Sequence, residues 1–269
     1  MEWFAKMNCC LCGNDKGSVY LEGDSCRLIR CSCGMIWTAD FAEQAISYDN
    51  GDYFVERNPY VQQWDKYKQI FEELLDRIIP FKSSGFFLDV GAGVGILVSV
   101  ATERGFVARG VELSAWAGRY AREVKGLDVQ TGLLEGAGFP DNHFDVVTIN
   151  HVLEHVEFPA SILLEIKRIL KPDGVLVIGV PNISSIMAGF KGVRWSSLRP
   201  TEHIWHFTPD TLKCLVSQSG FSEIYFESRE NHDPTGWGPK DLAVRLINTV
   251  AVVCGRSEAM LLFCSKTDS

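Results

Sequence analysis

The sequence predicts an α/β protein: a doubly wound, mostly parallel seven-stranded sheet with helices on both faces, preceded by a small cysteine-rich segment. Three observations carry this. Strand-like runs alternate with helical runs over residues 81–269, which calls for parallel strands joined by helical crossovers. The first of those strands runs into a glycine-rich turn and out into an apolar helix, "LDVGAGVGILVSV" at 88–100. Six of the nine cysteines lie within the first 33 residues. The chain therefore divides into 1–40, the cysteine segment; 41–80, a linker and helix; and 81–269, the α/β domain.

The cysteine segment comes first. "NCCLCGN" and "RLIRCSCGMIW" each carry a cysteine pair followed by glycine, Gly13 and Gly34. Two such knuckles about 20 residues apart read as a zinc ribbon. A tight turn brings both thiolates to one ion, and the glycine lets the backbone turn without a Cβ clash. Cys9, Cys12, Cys31 and Cys33 are the expected ligands. The second knuckle is one residue short, so Cys10 or Cys26 stands as a substitute. The competing reading is a set of free buried thiols, but so short a segment has few large apolar residues to hold it folded. Four thiolates leave no open coordination position, so the metal is structural. Between the knuckles, "VYLEGDSCRLIR" reads as a hairpin. Cys214, Cys254 and Cys264 sit among apolar neighbours and read as packed core.

Residues 40–58 are polar and aromatic and read as a linker. Apolar residues at 64, 67, 71, 74, 75 and 78 follow the helical period until Pro80 stops them. Strands are expected at "FFLDV", "VARGVE", "LDVQT", "FDVVTIN" and "VLVIGV", with helices at 95–104, 114–124 and 159–170 and a turn at "KPDG". The segment "PNISSIMAGFKGVRWSSLRPTEHIWHF" is too long for an ordinary connection and is expected to be functional. A helix capped by Thr208, opened by Pro209 and stopped by Gly220 follows. "FSEIYFES" and "AMLLFCSKT" close the sheet. The apolar helix between them, "DLAVRLINTVAVV", packs in the core, covers a greasy substrate or meets a second subunit, which leaves a homodimer open.

Composition sets outer limits. The chain of 269 residues is 46% hydrophobic and 22% charged, ordinary for a soluble domain. A net charge of −8 argues against a broad grip on nucleic acid or an anionic membrane. No run approaches the ~18 apolar residues of a spanning helix. The start, "MEWFAKMNCC", does not read as a signal peptide, so a cytoplasmic location with reduced cysteines is expected.

The glycine turn admits three ligands. A phosphate loop needs Gly-Lys-Ser/Thr, but here the chain continues Ile96-Leu97-Val98. A dinucleotide fingerprint puts its third glycine where Ile96 stands. Asp89 ends the first strand, and Glu112 in "GVELS" ends the second, where an acid accepts hydrogen bonds from ribose hydroxyls. An adenosine ligand without phosphates and with a cationic tail fits, and S-adenosylmethionine has that form.

With these residues in view, the sequence resembles class I S-adenosylmethionine-dependent methyltransferases. "LDVGAGVG" and "GVELS" are similar to that family's first two motifs. "GFPDNHFDVVTINHVLEHV" and "EIKRILKPDGVLVIGVPN" are similar to its fourth-strand and fifth-strand regions, so the resemblance spans about residues 60–267. The cysteine knuckles and "EHIWHFTPDTL" resemble a bacterial subgroup in which a zinc ribbon precedes the domain. The resemblance implies a Rossmann-like fold in which Asp89, Gly91, Ala92, Gly93 and Gly95 line the methionine part of the cofactor. It implies Glu112 on the ribose, Leu113 beside the adenine, and Asn150 and His151 at the methionyl group. The family's adenine-binding acid is replaced in "TGLLEG", so Leu133 and Leu134 would hold the adenine through apolar and backbone contacts.

Methyl transfer from a sulfonium is an in-line displacement, dominated by alignment and helped by a base when the nucleophile is a hydroxyl. His203 and His206, in the long segment where an acceptor would enter, are the favoured bases, with His151 beside the methyl position. Their competing reading is packing and capping around Thr208. Glu154 with His155 resembles a divalent-ion pair of quinone-biosynthesis relatives, although a structural role for His155 weighs more. Trp195, Trp205 and Phe207 would form an apolar wall of the lid, and Tyr53 would cover the cofactor. The expected acceptor is a small organic molecule, a sugar, lipid or secondary-metabolite intermediate, methylated at a hydroxyl or a carbon. The alternatives are an RNA methyltransferase that uses its ribbon on nucleic acid, and a non-catalytic cofactor-binding protein.

Overall fold

The structure is a computed structural model that describes residues 7–23, 26–39, 51–229 and 239–267. The N-terminal segment forms β1 (Gly17–Gly23), β2 (Cys26–Cys31) and β3 (Ile36–Thr38), the expected hairpin plus one strand. Residues 40–50 of the expected linker lie outside the described residues, while Tyr53–Arg57 forms one π-helical turn. Next come α1 (Trp64–Ile78), β4 (Phe86–Val90), α2 (Ile96–Glu103), β5 (Val107–Glu112), α3 (Ala115–Arg119) and β6 (Val129–Thr131). The chain continues through β7 (Phe144–Asn150), α4 (Pro159–Ile169), β8 (Leu170–Pro181) and α5 (Ile186–Lys191). It ends with β9 (Trp205–His206), α6 (Pro209–Gln218), β10 (Phe221–Arg229), α7 (Pro239–Val253) and β11 (Ala259–Lys266).

The main sheet has the order β10-β11-β8-β7-β4-β5-β6, with β11 antiparallel to both neighbours. This is the expected doubly wound, seven-stranded sheet. Strand alternation builds its two cores, because successive side chains point to opposite faces. Leu88, Val90, Val147, Ile149, Leu176 and Ile178 pack on one face with α4 and α6. Phe87, Val146, Val175 and Val177 pack on the other with α1 and α2. Lys171–Gly174, expected as a turn, lie within β8 as an irregularity: Phe144 pairs with Leu170 and Val146 already pairs with Val175. Thr208 caps α6 through a reciprocal capping box with Thr211.

The long segment after β8 does not hang over the domain as a lid. Its two-residue strand β9 pairs antiparallel with β3, so the small sheet runs β1-β2-β3-β9. Cys9, Cys31, Met35 and Trp37 join the same apolar core as α4 and α6. Two expectations are corrected here. Trp195, Trp205 and Phe207 are interior side chains rather than a wall facing an acceptor: Trp195 Nε1 donates to Glu258 Oε1 (2.6 Å) and Trp205 Nε1 to the Val156 carbonyl (2.9 Å). Of the three later cysteines only Cys264, on strand β11, is buried; Cys214 is exposed on α6 and Cys254 in the turn just after α7.

Candidate active site

A cavity of about 300 Å³ opens at the carboxyl ends of β4, β5 and β7. The chain order reverses between β4 and β7, and open α/β sheets bind ligands at such a switch point. The loop after β4 forms the floor. Gly91 and Ala92 amides both donate to the Val111 carbonyl, at 2.8 and 3.1 Å. Gly91 has φ +76°, and a Cβ there would stand 2.3 Å from Val152 Cγ2. Gly95 (φ +88°) starts α2 in the left-handed region. The loop needs glycine at both places for conformation and for space.

Two buried acids flank this loop. Glu112 accepts from the Gly93 amide (2.7 Å) and the Ser114 amide (2.8 Å), and burial pushes its carboxyl above the usual range. Asp89 accepts from Thr148 Oγ1 at 2.7 Å. Complete burial, helped by the nearby Glu112 charge, pushes Asp89 up to about 7 against the pull of that hydrogen bond. A pair of buried acids in a cavity suits a cationic ligand. Leu113 and Leu133 are both exposed and line the cavity, as does the exposed Glu135, which the sequence reasoning passed over. Its one signal was an acid two residues past the expected position. Leu134 is buried and also lines the cavity. Tyr53 and Phe54 close the opposite side, where Phe54 stacks on Trp116 (6.0 Å between centroids, 10° apart) and Trp116 on Tyr120.

At the far end, Asn150 and His151 leave β7 and line the cavity. His151 takes φ +55°, unusual for a side chain with a Cβ, and its amide is held by the Gly179 carbonyl at 2.8 Å. Strained backbone of this kind concentrates at functional sites. His151 Nδ1 lies 3.2 Å from Glu154 Oε1, with the His151 side chain 43% exposed and that of Glu154 1%. Burial raises the Glu154 carboxyl, but the His151 hydrogen bond and the three nearby imidazoles outweigh it and hold the group ionised, well below the usual range. Among the described residues Glu154 Oε2 has no hydrogen-bond partner. His155 also lines the cavity; its Nδ1 is 3.0 Å from the Glu202 carbonyl, which fixes the proton on Nδ1 and leaves Nε2 bare.

His203 and His206 do not line this cavity. His203 packs edge-on against His155, and His206 is buried against the small sheet. Thr38 Oγ1 donates to the His203 carbonyl (2.8 Å) and so accepts from His206 Nε2 (3.0 Å). Burial holds His206 down at about 4 and His203 well below its ordinary value. Both are shielded by a strand 165 or more residues away in sequence, which the local pattern does not reveal.

The sequence matches the family described as "Methyltransferase domain" over residues 61–225, more than half of the chain. The chain belongs to this methyltransferase-domain family. It is similar to the ubiquinone biosynthesis O-methyltransferase of Actinobacillus pleuropneumoniae serotype 5b, 35% identical over 118 residues, covering 39% of this chain and 50% of that one. The Roseobacter denitrificans protein of the same name is 30% identical over 158 residues, 54% of this chain and 62% of that one. The chain thus spans about half the length of the curated relatives it matches. Its fold is similar to a SAM-dependent methyltransferase from Archaeoglobus fulgidus (TM-score 0.55, 22% identity, 74% and 94% of the two chains). It is also similar to a chain of the Haloferax volcanii complex between the Trm112 methyltransferase activator and a methyltransferase (TM-score 0.63, 15% identity, 82% and 99%).

In this methyltransferase-domain protein the small sheet carries a second cluster. Sγ atoms of Cys9, Cys12, Cys31 and Cys33 all lie within 4.8 Å of one another, with Cys9–Cys33 at 3.4 Å and Cys12–Cys31 at 3.5 Å. A tetrahedral ion with arms of ~2.3 Å needs sulfur–sulfur edges of roughly 3.8 Å, so the donor set fits. Cys10 and Cys26 lie outside the cluster. The segment before β9 then ties the surroundings of the cavity together. Buried Glu202 pairs with Arg57 (2.9 Å) and Arg199 (3.2 Å), anchoring the Tyr53 turn. Ile204 and Trp205 amides both donate to the Glu154 carbonyl. Among the described residues no helix is long and apolar enough to cross a membrane.

Proposed function

We propose that the protein transfers a methyl group from S-adenosylmethionine to a hydroxyl of a small organic acceptor, with His151 as general base. The observation that carries this is the His151–Glu154 pair at the end of the cavity floored by the glycine loop. Glu112 would hold the ribose, and Asp89 with the 91–95 backbone the cationic methionine end. Leu113, Leu133 and Leu134 would flank the adenine, and Glu135 offers an acceptor to its amino group. The Tyr53–Phe54 turn keeps water from the reacting atoms. When bound, the cofactor supplies an electrophilic methyl on sulfonium sulfur, and S-adenosylhomocysteine remains after transfer.

The buried Glu154 carboxylate accepts from His151 Nδ1–H and so directs the bare Nε2 to the acceptor hydroxyl. Nε2 takes that proton as the oxygen bonds to the methyl carbon, and Glu154 stabilises the imidazolium. The exposed edge of His151 then returns the proton to solvent. Of the three candidate histidines, the proposal keeps His151 and sets aside His203 and His206. The names of the O-methyltransferase relatives support oxygen as the nucleophile, and the charge of −8 favours a small acceptor over RNA.

A second reading has its own observation: one donor atom each of Glu154, His155 and His203 lies within 4.8 Å of the others, a set that fits a divalent ion. The ribbon is proposed to hold one structural zinc on Cys9, Cys12, Cys31 and Cys33. Thiolates of this kind fit a reducing compartment, the cytoplasm.

The test is turnover against a panel of phenolic, enolic and sugar hydroxyls. His151→Ala and Glu154→Gln are expected to lower kcat by about 10²-fold or more, the usual worth of a general base, and to change cofactor affinity little. Full turnover in His151→Ala overturns the base. Turnover that dies on chelation and returns with added magnesium or manganese, the ribbon zinc retained, favours the divalent-ion reading.

A further inference from the structure

Helix α7 is turned inside out relative to an ordinary surface helix. Its protein-facing side carries Asn248 and Ala251, both buried. Its opposite side presents Leu242, Leu246, Val250 and Val253 to solvent, with Leu246 67% and Val253 81% exposed. A helix at a domain surface normally places its apolar stripe inward. Leu242, Leu246, Thr249 and Val253 are spaced 4-3-4, the repeat of a seam that meets another helix. Thr249 fits such a seam because its hydroxyl already donates to the Arg245 carbonyl at 2.9 Å, leaving the methyl for packing.

We infer that α7 pairs antiparallel, about a two-fold axis, with α7 of a second copy of this chain. Several observations select this occupant. Among the described residues none of α7 lines the cavity, which sets the stripe apart from the proposed acceptor site. A membrane-surface helix keeps a Lys/Arg-rich face in water, whereas the second face of α7 packs on the protein, and the chain's charge of −8 disfavours an anionic bilayer. The stripe holds no charged residue, so two copies meet without like-charge repulsion, and opposed helix dipoles favour the antiparallel sense.

A 15-residue helix is about 22 Å long, less than the roughly 800 Å² per partner of a standard interface demands alone. Helix α5 supplies more. It starts beside the C-terminal end of α7, where the Ile186 amide donates to the Arg256 carbonyl at 3.0 Å, and its Phe190 is 83% exposed.

Sedimentation equilibrium on the full chain over a concentration series tests this. The wild type is expected to be dimeric, and Leu246→Glu with Val253→Glu to raise the dimer dissociation constant by at least about tenfold. S-adenosylmethionine affinity, by calorimetry, should stay unchanged, which shows that the variant is folded. Thr249→Leu should tighten the dimer. A wild type that stays monomeric at every concentration overturns the inference. So does a dimer indifferent to both glutamates, or a monomer that floats with phosphatidylcholine vesicles.

Discussion

Asp89 makes cofactor binding depend on pH in a defined direction. Burial pushes its carboxyl up to about 7 in the free protein, so at pH 7 about half of the molecules carry the anion and at pH 5.5 only about 3%. A ligand with an ammonium and a sulfonium favours the ionised form and so lowers this pKa on binding. Below pH 7 binding must therefore release a proton, and affinity must fall as pH falls through the free-state value. Where the bound carboxyl returns to the ordinary ~3.8, affinity drops roughly sixteenfold between pH 7 and 5.5, about 1.6 kcal/mol. The ligand's own amino group, with an ordinary α-amino pKa of about 7.7–8.0, stays largely protonated in this window. Glu112 is also raised by burial and acts with the same sign. Titration calorimetry in buffers of different ionisation heat reads both affinity and released protons: about one proton per ligand near pH 6, and a flatter profile in Asp89→Asn. An affinity that is level or rises towards pH 5.5 refutes the reasoning. A full slope retained in Asp89→Asn refutes its assignment to this residue.

Gly91→Ala is expected to weaken S-adenosylmethionine at least about tenfold, because its Cβ meets Val152 at 2.3 Å in a backbone with φ +76°. Adding Val152→Ala removes the clash but not the backbone strain, so calorimetry should show partial recovery only. One zinc per chain is expected by metal analysis, and Cys31→Ser should lose it. Because β3 holds β9, that loss should also shift Trp205 fluorescence, and a metal-free variant with unaltered emission counts against the coupling.

The glycine loop and the two acids that line the cavity were legible because their signals are local. Strand alternation in "FFLDV" and "FDVVTIN", the glycines after Val90, and Glu112 at the end of β5 lie within a few residues of the structure they dictate. The four zinc-ligand candidates were legible for the same reason, since each knuckle is a single turn. Periodicity failed where it had to say which side is inside. The apolar run in α7 left core packing, a substrate cover and a second subunit open, and its buried face carries Asn248 and Ala251. Cys214 and Cys254, read as packed core, are exposed.

The acceptor side fails for a different reason, and the error is instructive. A long segment with two histidines suggests side-chain chemistry, so His203 and His206 looked like bases. In the fold this segment acts largely through backbone and a carboxylate. The Glu202 carbonyl orients His155, its carboxylate clamps Arg57 and Arg199, and the amides of Ile204 and Trp205 hold the Glu154 carbonyl. Arg199 accepts φ +39° to make that clamp. The imidazoles of His203 and His206 are buried as a consequence, one against His155 and one against Thr38 of the ribbon. Their neutrality matters as packing: a charged His206 beside Thr38 would place an uncompensated cation in a buried seam. The exposed imidazole of His151 lies instead on the strand end, 3.2 Å from the buried Glu154 carboxylate. Three pieces of chain, around residues 38, 57 and 202, converge to build that geometry. Contacts of such sequence separation leave no mark in any local window, which is why the sequence alone did not show that, of the three candidate histidines, only His151 lines the cavity.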